Sequence, residues 1–139
     1  MDFLDYMFEF NDDHETGILV RYTLMETKAH IPSTVAGYKI TKIGRWAFCY
    51  STEPFYEQAP LEEIEFEEGY REVFHGAFFG CDKLKRISFP STIDEIYGNP
   101  FEGADSLEEI IFPNGNSRFC FKDGKLTDKD GNVYFERKV

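Results

Sequence analysis

LEEIEFEEGYREVFHGAFFGCDK (Leu61–Lys83), LKRISFPSTIDEIYGNPFEGADS (Leu84–Ser106) and LEEIIFP (Leu107–Pro113) follow one another without a break. Leu61, Leu84 and Leu107 stand 23 residues apart, and Ile64, Ile87 and Ile110 keep the same step. So do Phe66, Phe89 and Phe112, and so do Phe78 and Phe101. A fixed period of this size marks units that cannot bury their apolar face alone and must stack on their neighbours. Within each unit, L-x-x-I-x-F reads as a short strand with its apolar positions turned inward. A turn at Gly69, Pro90 or Pro113 follows, and then a second apolar pair such as Ile93 and Ile96. The segments around Ala77-Phe78 and Phe101 read as short helical or 3₁₀ turns that drive one ring into the core.

Outward from this stretch the period loosens. Ile31-Pro32-Ser33-Thr34 echoes Phe89-Pro90-Ser91-Thr92, Ile43 aligns with Val73 and Ile96, and Ala47-Phe48 aligns with Ala77-Phe78 and Pro100-Phe101. Two insertions separate this first unit from the regular ones. One is AGYKI (Ala36–Ile40); the other, around Thr52–Pro60, stretches Phe48 to Phe78 to 30 residues, seven more than the period. Residues 1–30 read as strands. Tyr6, Phe8 and Phe10 alternate with polar or smaller neighbours, and after the turn residues Asn11–Gly17 the run Ile18, Val20, Tyr22, Leu24 alternates with Leu19, Arg21, Thr23 and Met25. This predicts a β-hairpin over the first end of the stack, which would otherwise expose its core. From Phe119 the pattern changes to FCFKDGKLTDKDGNVYF, with hairpin signals at Asp123-Gly124 and Asp130-Gly131.

Two side-chain columns support the stacking. Ser51, Cys81 and Ala104 align, so an inward position demands a small side chain, and Cys81 reads as a buried small residue rather than a nucleophile. Lys28, Glu63, Arg86 and Glu109 align on the outside with alternating sign, beside Thr27, Glu62, Lys85 and Glu108. Adjacent strands lie about 4.8 Å apart, so opposite charges meet across each step.

The composition bounds the function. The 139 residues suit one domain, and 15 Phe with 8 Tyr can fill a narrow core. Asp and Glu number 26 against 15 Lys and Arg, a net charge of −11. That balance lacks the basic stripe that phosphate backbones require and would be repelled by an anionic membrane surface; it favours a solvated, soluble surface first and a basic protein partner second. No apolar run approaches the roughly 18 residues of a spanning helix. The first residues lack a basic, apolar leader pattern, so the sequence as written reads as cytoplasmic. Three cysteines at irregular spacing imply no disulfide framework.

Candidate chemistry is sparse. Asp128–Asn132 (DKDGN) invites a calcium loop, but an EF-hand register would put Leu126 and Arg137 at ligand positions, so a hairpin turn is expected. His14, His30 and His75 have no partners at metal spacing, and neither G-x-S-x-G nor a phosphate loop is present. Glu62 and Glu108 would stand two units apart, about 9–10 Å at strand spacing, which a hydrolase could use. Lys85 between them would hold both ionised. No catalytic, metal or cofactor residues are assigned. Two surfaces are candidates for binding a protein partner. One is the sheet face bearing His30, Glu65, Ser88 and Ile111. The other is the inserted loop Ser51–Pro60, with Phe55, Tyr56 and Glu57, although Phe55 could equally fold back over the edge of the stack.

The runs IPSTVAGYKITKIGRWAF (Ile31–Phe48), GAFFGCDKLKRISFPSTIDEI (Gly76–Ile96) and NSRFCFKDGKLTDKDGNVYF (Asn116–Phe135) resemble the BspA-type leucine-rich repeat. The resemblance extends from about Ile18 to Phe135. Val73-Phe74-His75 and Ile96-Tyr97-Gly98 depart from its usual Ile-Gly turn, Pro100 replaces the alanine before Phe101, and Thr127 stands where an aromatic is usual. The resemblance implies protein–protein or host-surface binding rather than catalysis. Together with the columns it predicts a β-rich, right-handed solenoid of about three 23-residue coils. Residues 1–30 would form an N-terminal hairpin cap, 31–118 the repeats and 119–139 a C-terminal hairpin cap. An architectural or oligomerising module without a dedicated ligand is the alternative function, and a small acidic hydrolase a third.

Overall fold

In the computed structural model the described residues are 7–22, 26–48 and 60–137, with the backbone of 51–52 and 55–56. The alternation of L-x-x-I-x-F places every second side chain inward. The strands β3 (Lys28–Ile31), β8 (Glu63–Phe66), β10 (Arg86–Ser88) and β12 (Glu109–Ile111) accordingly form one parallel sheet in the order β12-β10-β8-β3. Its register is the one the 23-residue period requires. Ala29 pairs with Ile64, Ile64 with Ile87, and Ile87 with Ile110. All four are buried.

A second sheet forms one side of the same core. It contains β1 (Phe8–Phe10), β2 (Thr16–Leu19), β4 (Thr34–Val35), β5 (Tyr38–Ile43), β9 (Glu72–Val73) and β11 (Glu95–Ile96). Ile43, Val73 and Ile96 pair in parallel and are buried. The inserted AGYKI is the β4–β5 hairpin, turned by Ala36 and Gly37, both at positive φ as a two-residue type I′ turn demands. The inserted segment after Cys49 contains the short hairpin β6 (Ser51–Thr52) and β7 (Phe55–Tyr56), with Thr52 opposite Phe55.

Turns close the third side. Ala77 N–H donates to Phe74 O, Phe79 to Gly76 and Cys81 to Phe78, each across three residues. These are successive turns and not a continuous helix. They bond laterally too: Phe48 N–H donates to Ala77 O at 2.8 Å, and Phe78 N–H to Pro100 O at 2.8 Å. The rings follow. Tyr22 stacks on Phe48 (5.1 Å between centroids), Phe48 on Phe78 (4.9 Å) and Phe78 on Phe101 (5.0 Å), with Phe135 set edge-on to Phe101 at 5.4 Å. Beside this column Phe66, Phe89 and Phe112 form another, 5.7 and 6.0 Å apart. Cys81 and Ala104 are buried in line, as the small-residue column predicts, and Cys81 Sγ lies 3.3 Å from Phe48 O. The side chain of Ser51 lies outside the described residues.

The N-terminal segment departs from the sequence expectation. The β1–β2 hairpin forms, with Phe8 opposite Leu19, but the strand ends at Leu19 rather than continuing to Leu24. Leu19 is fully buried and Ile18 is not. The reason is that β2 is also a parallel partner of β5, with Leu19 beside Ile43, so it obeys the inward columns of the stack. The chain then bends so that Tyr22 N–H reaches Ala47 O at 2.6 Å and its ring enters the aromatic column. Tyr6 and Leu24 lie outside the described residues.

The last strands are β13 (Phe119–Lys122), β14 (Lys125–Asp128) and β15 (Val133–Glu136), an antiparallel sheet. Asp123 and Gly124, at φ 54° and 78°, make the two-residue turn between β13 and β14 that their sequence predicts. Phe119, Leu126 and Phe135 are buried from this sheet. No helix among the described residues is long and apolar enough to cross a membrane.

Candidate interaction surfaces

The outward side of the four-stranded parallel sheet carries the charged column. Lys28 Nζ lies 3.5 Å from Glu63, Arg86 lies 3.4 Å from Glu63, and Arg86 Nε donates to Glu109 at 3.0 Å. The adjacent column pairs Lys85 with Glu62 at 3.7 Å. All these groups are substantially exposed, so each pair contributes less than about 1 kcal/mol. Their effect is on register, because a slip by one unit would set Glu63 against Glu109.

Next to this ladder the structure brings together four of the candidate residues. His30, Glu65, Ser88 and Ile111 occupy successive strands at one register position. His30 and Glu65 are exposed, while Ser88 and Ile111 are half-buried. With Lys28, Arg86 and Pro113 they line a shallow groove of about 420 Å³. His30 Nε2 is 2.9 Å from Glu67 and Nδ1 is 3.7 Å from Glu65. Glu67 in turn accepts the Ser33 N–H at 3.0 Å. The His30 hydrogen bond, and then that from Ser33, hold the Glu67 carboxyl below its ordinary range. The histidine is thus oriented by two carboxylates at the edge strand. The second predicted surface is placed only in part: Phe55 and Tyr56 lie on β7, their side chains and all of Glu57 falling outside the described residues.

Sequence reasoning missed another surface. Trp46 and Tyr97 are 45% and 41% exposed, and Phe79 is 36% exposed. Trp46 and Phe79 meet edge-to-face at 5.1 Å, with His75 6.3 Å from Trp46. Phe74 and Tyr97 stack at 4.8 Å, and the Tyr97 hydroxyl donates to Glu72 at 2.8 Å. That hydrogen bond, reinforced by burial and neighbouring carboxylates, pushes the Tyr97 hydroxyl upward. The signal was present in Phe74-His75 and Tyr97-Gly98, the two places where the regular turn is replaced. In the first unit the position of Phe74 is Gly44, where a Cβ would come within 2.9 Å of Leu19 O.

The Asp128 turn is built from its own carboxylate. Asp128 accepts the Asp130 and Asn132 N–H groups at 2.9 and 3.0 Å, the Asn132 side chain at 3.0 Å and the Tyr134 hydroxyl at 2.8 Å. The Asn132 side-chain bond leads the causes that lower its pKa to about 2. Both oxygens are thus engaged in shaping the β14–β15 connection.

Residues 51–128, just over half of the chain, match the family described as BspA type Leucine rich repeat region (6 copies). No curated protein matches the chain. Two solved structures are similar to it. A leucine rich cell surface protein from Faecalibacterium prausnitzii shares 27% identity at a TM-score of 0.61, over 74% of this chain and 27% of that one. The T. pallidum leucine rich repeat protein shares 25% identity at a TM-score of 0.67, over 79% of this chain and 48% of that one. The chain therefore spans less than half the length of either. Leucine-rich repeats of this kind generally serve as protein–protein interaction modules. With its inward columns in register and its family match running through them, the chain belongs to the BspA-type leucine-rich repeat family.

Proposed function

We propose that this protein is a non-catalytic interaction module that binds a protein partner across the outward face of its four-stranded parallel sheet. The observation that carries this reading is the groove lined by His30, Glu65, Ser88 and Ile111 beside the charged ladder. It joins half-buried apolar surface at Ile111 to exposed charge at Lys28 and Glu65 and the polar ring of His30, the mixture that interface centres and rims combine. The excess of acidic residues supports a basic partner. Catalysis lacks support on this face, since Lys85 stands 3.7 Å from Glu62, in the column that Glu108 shares. The frame that presents the face is, on this reading, a right-handed solenoid of about three 23-residue coils. Residues 1–30 and 119–139 cover its ends, and 31–118 form the repeats, as one domain.

The Ser51–Pro60 insertion is a second contact in the same proposal, because the repeat does not require it. Affinity capture with quantitative mass spectrometry tests both. Ser88→Arg with Ile111→Glu alters the groove without touching the core, and removal of residues 52–58 restores the 23-residue spacing. A partner retained by the parent and lost by the groove variant supports the proposal. Equal recovery by parent and groove variant contradicts it, and equal recovery after the deletion removes the loop from it.

A further inference from the structure

We propose that the corner formed by Trp46, His75 and Phe79, with Glu102 beyond it, is a docking site for an arginine side chain presented by a basic protein. This site lies on the turn side of the molecule and is independent of the sheet face.

Three observations converge. The first is strain. Trp46 has φ 63°, a left-handed conformation that a bulky residue with a Cβ avoids. The equivalent position of the next unit is Gly76, which adopts φ 72° freely. Trp46 therefore occupies a glycine position, and its ring still leaves 45% of the residue exposed. Burial does not explain its presence there, and retained strain of this kind concentrates at binding sites.

The second is shape. The Trp46 ring lies against Gly76, where a Cβ would come within 2.8 Å of it. Its plane stands at 84° to that of Phe79, so the two rings form two walls of an open corner. His75 extends one wall, and its orientation is held because its Nδ1 accepts the Asn99 N–H at 3.2 Å. The corner is thus a fixed aromatic surface.

The third is charge. Glu102 stands at the turn position of Phe79 one unit further on, its carbonyl accepting the Gly80 N–H at 3.0 Å. Glu102 is exposed, as is Asp105 beside it, and neither enters an ion pair among the described residues. The whole chain carries −11. Arg45, in the Trp46 turn, is the opposing charge. A guanidinium is planar, weakly hydrated and stacks on ring faces, while its fork matches a carboxylate. An acidic segment would meet the field of the whole chain instead.

Trp46 is the only tryptophan, so its emission reports directly on the corner. The probe is the blocked peptide acetyl-Gly-Arg-Gly-amide, titrated into the full chain alongside acetyl-Gly-Glu-Gly-amide. The arginine peptide should give a saturable change in Trp46 emission that the glutamate peptide does not. Phe79→Ala should weaken binding about two- to fivefold, and Glu102→Gln by about the same factor. Arg45→Gln should tighten it. Glu102 is exposed, so Glu102→Gln should retain the parent circular dichroism spectrum and melting temperature, which separates lost binding from lost folding. The proposal is overturned if the arginine peptide produces no saturable change, if the glutamate peptide produces the same one, or if Phe79→Ala and Glu102→Gln bind as the parent does.

Discussion

Gly76 and Gly80 lie in successive turns, at φ 72° and 74°, yet a Cβ meets different surroundings at each. At Gly80 nothing lies within 4 Å, whereas at Gly76 a Cβ would strike the Trp46 ring at 2.8 Å. Gly80→Ala should therefore cost only the backbone strain of a left-handed alanine, about 1 kcal/mol. Gly76→Ala should cost more, about 2–3 kcal/mol, by adding the displaced ring to that strain. Urea unfolding of the two variants compares them directly. Asp128 gives a pH-dependent counterpart. Its carboxyl is held down to about 2 in the folded chain, against an ordinary 3.8. A depressed carboxyl contributes stability that is full above the ordinary value and is lost as pH falls toward the folded one. The chain should thus lose stability between pH 4 and pH 2, and Asp128→Asn should flatten that part of the profile. At this scale the sequence was only partly legible. Asp123-Gly124 announced its turn, because two positive φ values in a row demand such a pair. Trp46 announced nothing, because a strained tryptophan looks locally like any other aromatic.

Among elements, the parallel sheet was the most readable part of the molecule. The alternation of apolar and polar residues sets which face is inward, and a 23-residue step then leaves one register. The charged ladder follows from that register and tests it. Arg86 bonds both Glu63 and Glu109. Arg86→Glu should lower stability by about 1–2 kcal/mol, with much of the loss disappearing in 1 M salt. Adding Glu109→Arg to Arg86→Glu should recover part of it, because Glu109 meets only Arg86 in the ladder. An unchanged melting temperature in both variants would mean that the ladder contributes nothing to stacking. The β2 strand was less readable. Its alternation fits a hairpin with β1 and a parallel place beside β5 equally well, and it takes both. The strand ends at Leu19, and the chain beyond it brings the Tyr22 ring onto Phe48. The sheet-face candidates followed from register alone, whereas the aromatic corner depends on side chains from separate turns that no single-strand pattern connects.

Across the whole molecule, one aromatic column joins the first and last sheets. It runs from Tyr22 through Phe48, Phe78 and Phe101 to Phe135, so each unit shares its core with the next. Repeat proteins owe their stability to such nearest-neighbour interfaces. The proposed interaction surfaces rest on that column. Phe78 stands at its centre and is fully buried. Replacing it with alanine removes about 3–5 kcal/mol, enough to threaten the entire fold of a marginally stable domain. The most direct test is amide hydrogen exchange on Phe78→Ala, followed at β2 and β14 together. Loss of protection at both ends in parallel is the predicted result. Parent-like protection at either end, with loss confined to the middle units, would contradict a single column that holds the molecule together.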